Sequence, residues 1–176
     1  LRIDVAEAAN TLEAQGRLLR DRANHSELVI ARVREQFGRE LPPDLEDFYR
    51  ACIRRIGDSN SIAPTWNDHV GWRPMAVDST ALLHVQAVPI FFDGCGSLYG
   101  LDLSSGDLTP AVYFFDHEDE FSKPHWAAGS SLGAFLLLLA DHDRAYRENW
   151  SERWQLAIDP DLDNCPRAPA IWNTNG

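Results

Sequence analysis

The sixteen residues from Val88 to Leu103, VPIFFDGCGSLYGLDL, constrain the fold more than any other stretch of this chain. Two short apolar runs, Val88 to Phe92 and Leu98 to Leu103, flank Asp93-Gly94-Cys95-Gly96-Ser97. A five-residue loop whose two glycines supply positive φ angles closes an antiparallel hairpin. A second turn, SSGDLTP, leads into Ala111 to Phe115 and extends the hairpin to a three-stranded meander. Further short apolar segments at Trp72 to Val77 and Leu82 to Ala87, punctuated by Gly, Pro, Asn and Ser, predict two more strands.

The residues before this region follow a different period. Val5, Ala8, Ala9, Leu12 and Leu19 recur at near-helical spacing through the first twenty positions. Ser26 is placed to cap a second helix over about 27–37, in which Val29, Ile30, Val33 and Phe37 share a face and Gly38 takes the C′ position. LPPDLEDFYRACIRRIGD predicts a third helix, with prolines in its first turn and Leu45, Phe48, Tyr49, Cys52, Ile53 and Ile56 on one face up to Gly57. Ser130 or Ser131 caps a last helix from 131 to 148, with YRENWSERWQL extending it to about 156. Helices first and strands afterwards, without βαβ alternation, predict an α+β fold. The expected form is one domain over 1–176: N-terminal helices in 1–57, a twisted, mainly antiparallel sheet of about five strands in 60–116, a C-terminal helix in 131–156 packed with them around the sheet, and a tail over 157–176.

Charge narrows the partners. The 176 residues carry 16 Lys and Arg against 27 Asp and Glu, and nearly all of the excess lies after residue 60. Such a surface repels nucleic-acid phosphate, whose binding depends on Lys and Arg, and favours a basic partner. Cys52, Cys95 and Cys165 are odd in number and far apart, which points to a reducing compartment rather than a disulfide framework. The charged N-terminus has no uninterrupted apolar core of an export signal, and FLLLLA is far too short to span a bilayer. The expectation is a cytoplasmic protein without membrane contact.

Few residues carry a chemistry of their own. The run FFDHEDEFSKPHW offers carboxylates and imidazoles of the kind that bind zinc, manganese or iron, yet it lacks HExxH and EF-hand spacing and follows an apolar strand as a solvated loop does. Asp102, between Leu101 and Leu103 at a strand end, is expected to bond the amides of the neighbouring turn. Cys95 lacks an identifiable base, and DGCGSLYG leads into a strand where a phosphate cradle requires a helix N-terminus. No catalytic residue, metal ligand or cofactor is assigned.

The ordered motifs resemble the SUKH superfamily of Smi/Knr-type proteins. Phe37-Gly38-Arg39-Glu40-Leu41-Pro42-Pro43-Asp44-Leu45 with Phe48-Tyr49 matches the family's helix-and-LP element. Asp93-Gly94-Cys95-Gly96, Tyr99 and Leu101-Asp102-Leu103 match its hairpin, and Val112-Tyr113 with Asp116-His117-Glu118 its next strand. Ala128, Ser130-Ser131-Leu132, Phe135-Leu136 and Leu139 match its closing helix. Two departures are Arg55-Ile56-Gly57-Asp58 at the end of the LP helix and Ser97 where an aspartate is common.

The resemblance implies a non-enzymatic, protein-binding α+β domain. Bacterial relatives commonly act as immunity proteins that neutralise a polymorphic toxin, often a nuclease, by stoichiometric binding; fungal relatives regulate cell-wall synthesis through protein contacts. Loop placement, charge and interface propensity select Asp93, Asp107, Asp116, Glu118, Asp119, Glu120, Trp72 and Trp126 as candidate contacts for a protein toxin such as a basic nuclease. The alternatives are a regulatory adaptor, or a metal-dependent hydrolase centred on Asp102, Asp116, His117 and His125.

Overall fold

A computed structural model describes residues 3–15, 18–20, 26–50, 53–56, 81–92, 96–148 and 153–170. Helix α1, Val5–Ala14, starts at Asp4, whose side chain accepts the amides of Ala6 and Glu7 at 2.7 and 3.1 Å. It buries Val5, Ala8, Ala9 and Leu12. Helix α2, Ser26–Phe37, ends at Gly38 with φ at 62°, the left-handed stop read from the sequence. Helix α3, Pro43–Arg50, buries Leu45, Phe48 and Tyr49.

The third helix is shorter than its periodicity suggests. Ile53–Ile56 is a strand, β2, paired antiparallel with β1, Leu18–Arg20, in the register Leu18 to Ile56. Leu19 therefore belongs to a strand and not to α1, and Ile53 and Ile56 do not continue α3. Local spacing fits a helix at both places, but pairing between segments some 35 residues apart overrides it, and branched isoleucines suit a strand.

Four antiparallel strands form the main sheet in the order β3 (Ala87–Phe92), β4 (Leu98–Asp102), β5 (Val112–Phe115) and β6 (Trp126–Gly129). The predicted hairpin is there, with Phe92 opposite Leu98 and Ala87 opposite Asp102. A register shift between Pro89 and Phe91 turns both Ile90 and Phe91 into the same core. Leu82 to Ala87 is not a strand. Leu83–Val85 is a 3-10 turn followed by Gln86 in the left-handed region, and β3 begins only at Ala87. Strand β6 is an addition to the sequence reading, because Trp-Ala-Ala-Gly carries little strand propensity and is held by pairing with β5. The predicted strand Trp72 to Val77 lies outside the described residues.

Both faces of the sheet are covered, and β5 is accordingly buried along its whole length. On one face α1, α2, α3 and helix α4, Leu132–Arg147, pack around Phe48, Phe91, Leu101 and Phe135. The other face holds Leu82, Leu98, Tyr113 and Phe115 under the C-terminal segment, which supplies Leu162, Ala168 and Ala170. That segment is not a continuation of α4: helix α5, Gln155–Ile158, is a separate single turn. It ends by bridging Ala170 to Ala127, with the Ala127 amide donating to the Pro169 carbonyl at 2.7 Å. No helix among the described residues is long and apolar enough to cross a membrane.

Candidate functional site

The register fixes which loops meet. Leu98 stands opposite both Phe92 and Phe115, so the β3–β4 loop and the turn after β5 emerge at the same end of the sheet. Asp116, Glu118, Asp119 and Glu120 are thereby gathered on one turn, with Trp126 at its exit on β6. Asp107 is exposed in the β4–β5 loop, at the opposite end. Asp93 and Trp72 lie outside the described residues.

The acidic turn has a built frame. Its Phe121 amide donates to the Asp116 carbonyl at 3.0 Å, and Glu120 and Phe121 both adopt φ of 58°. Two consecutive non-glycine residues in that region carry strain, which the packing of Phe121 on the second core opposes. Asp119 bonds His125 Nε2 at 2.7 Å and accepts from the Ser122 hydroxyl at 3.0 Å. The His125 bond holds the Asp119 carboxyl below its usual range. Asp116 Oδ1 accepts the Glu118 amide at 2.9 Å. Glu118 and Glu120 are exposed and have no ion-pair partner among the described residues.

A Ser-His-Asp grouping also occurs here. Ser97 Oγ lies 2.9 Å from His117 Nδ1, and Asp116 Oδ1 lies 3.5 Å from the same nitrogen. A relay needs the two ring nitrogens to serve different partners, and Ser97 is only 3% exposed, so the cluster ties the two loops together rather than activating a nucleophile. The His117 ring covers Gly96, where a β-carbon would come within 3.1 Å of it.

The hydrolase quartet is not assembled. Asp102 sits four residues from Leu98 along β4, about 13 Å from the acidic end at strand spacing. Its buried carboxylate accepts the Ser104 amide at 2.8 Å, as expected for a strand-end aspartate, and also Arg167 Nη1 at 2.8 Å. Among the described residues no group of three or more His, Cys, Asp or Glu could hold a metal ion. Burial, with Asp159, Asp161 and Asp163 nearby, pushes the Cys165 thiol up to about 12, which removes it as a nucleophile at neutral pH.

Trp126 stacks on Phe114 with centroids 4.0 Å apart and planes 7° from parallel. Phe91, Tyr99, Phe114 and Trp126 are register partners across the four strands, a row of rings running from the core to the sheet edge. Beside this edge lies a cavity of about 210 Å³, lined also by α4, Trp154, Gln155 and Leu162. Sequence reading named Trp126 but missed the cavity, whose walls come from positions 99 to 162 and show no local signal.

A four-stranded antiparallel meander covered on both faces, with an acidic turn at one end, defines an α+β protein. The chain belongs to the SMI1 / KNR4 family (SUKH-1), which it matches over residues 25–137. Members of this family are in general non-enzymatic protein-binding domains. The match ends within α4, so the C-terminal segment that covers the second sheet face lies beyond it. Comparisons with curated proteins and with solved structures gave no match.

Proposed function

We propose that this chain is a cytoplasmic immunity protein that binds a basic polymorphic toxin, such as a nuclease, one to one and occludes its active cleft. The observation that carries the reading is the turn between β5 and β6, a framed loop that presents the exposed carboxylates of Glu118 and Glu120. A cleft that binds phosphate is lined by Lys and Arg, and carboxylates held in place oppose it with little ordering cost. The net charge of −11 adds long-range attraction for such a partner. Asp116 and Asp119 act as positioning residues within the turn, since their carboxylates are occupied by Ser97, Glu118, Ser122 and His125.

Co-expression with the toxin encoded beside this chain's gene tests the reading. Survival of the host and a one-to-one complex on a sizing column are expected. Persistent toxicity with no complex would remove that pairing.

A further inference from the structure

The cavity beside β6 has the size and the walls of an anchor pocket. Tyr99, Trp126, Phe135, Leu138, Trp154 and Leu162 surround about 210 Å³, and the small side chains of Ala127 and Ala128 leave the space open. A dry cavity of roughly 150 Å³ holds a benzene ring, so this one admits a ring of indole size. Of the charged residues next to its lining in sequence, Asp141 pairs with Arg144 at 2.8 Å and Arg153 pairs with Asp163. The walls are mainly apolar, with His142 and Gln155 as their polar members, and a charge entering them would lose its hydration, which favours a neutral occupant.

Trp126 links the cavity wall to the acidic turn. Trp126 follows His125, the two rings meet edge to face at 6.3 Å, and His125 holds Asp119 at 2.7 Å. A segment that sets a ring against Trp126 therefore lies beside the turn that carries Glu118 and Glu120, to which basic groups are complementary. We propose that the cavity seats an aromatic side chain of a basic partner segment, with Lys or Arg beside that ring on Glu118 and Glu120. This rests on the turn being the partner face and adds the apolar anchor that charge alone does not supply. An anchor in a pocket beside a charged rim is the usual division between residues that hold a partner and residues that steer it.

The test is a nuclear magnetic resonance titration of the full chain with three capped peptides: Gly-Lys-Trp-Lys-Gly, Gly-Lys-Gly-Lys-Gly and Gly-Glu-Trp-Glu-Gly. The Lys-Trp-Lys peptide is expected to bind about tenfold tighter than Lys-Gly-Lys, from partial burial of the ring, and the Glu-Trp-Glu peptide more weakly than either. Ala128→Met fills the space without removing a wall and should abolish the tryptophan preference. Trp154→Leu, at a half-buried wall, should reduce it independently. Glu118→Gln with Glu120→Gln should weaken both lysine peptides and leave the preference intact. Equal binding of the two lysine peptides, or a preference that survives Ala128→Met, overturns the aromatic seat. A preference that Ala128→Met abolishes, in peptides indifferent to the two glutamates, overturns the acidic-face reading instead.

Discussion

Arg167→Met should be among the most damaging single changes outside the helical core. Asp102 is 2% exposed, and its carboxylate is held by the Ser104 amide and by Arg167 Nη1, both at 2.8 Å. The same nitrogen reaches the Val85 carbonyl at 3.2 Å, so one guanidinium clamps the C-terminal segment to β4 and to the turn before β3. Removing one partner of a buried pair costs about 3–5 kcal/mol, because the remaining charge stays buried without compensation. Partial exposure of Arg167 places the expected loss at the lower end, about 3 kcal/mol, or a fall in melting temperature of roughly 6–12 °C for a chain of this size. Urea unfolding followed by tryptophan fluorescence measures it. Adding Asp102→Asn should recover at least about 1 kcal/mol, since the amide keeps an acceptor for Ser104 and can donate toward the Val85 carbonyl that Arg167 vacates. A loss below about 1 kcal/mol for Arg167→Met, or strict additivity in the double variant, would refute the clamp.

Three further outcomes follow from single groups. Tyr49 is buried, its hydroxyl has no hydrogen-bond partner among the described residues and its ionisation is pushed up by burial, so Tyr49→Phe should stabilise the fold by roughly 1 kcal/mol in the same urea assay. In a chain carrying Cys52→Ser and Cys95→Ser, Cys165 should react with iodoacetamide at pH 8 at least roughly a hundredfold slower folded than in urea, because burial suppresses the thiolate. The Asp119 carboxyl should titrate below its ordinary 3.8 in a carbon-13 experiment and move up toward it in His125→Gln. Because the folded value is depressed, the contribution of this bond to stability is present above pH 3.8 and is lost as pH falls through the folded value.

What could be read from sequence was what is encoded locally. The β3–β4 hairpin, the Gly38 stop and the amide-bonded Asp102 each depend on neighbours within a few residues, and each is in place. The β1–β2 pair, the left-handed Gln86 and strand β6 depend on partners far along the chain, and no periodicity announces them. The candidate site divides in the same way. The acidic run was visible as residue types, but only the register separates Asp107 from Asp116, and only the fold reveals that Asp119 is committed to His125 while Glu118 and Glu120 remain exposed. Arg167 lay in a tail with no pattern of its own, yet it completes Asp102.

The most direct test of the account is the association rate with the toxin encoded next to this chain's gene, compared between wild type and Glu118→Lys with Glu120→Lys across a range of salt. These residues are preferable to Asp119, whose replacement would break the turn's own bond to His125. The account predicts association slowed by at least about tenfold at low salt, a flatter salt dependence and an unchanged melting temperature. An unchanged rate in a stably folded variant that still forms the complex would contradict it.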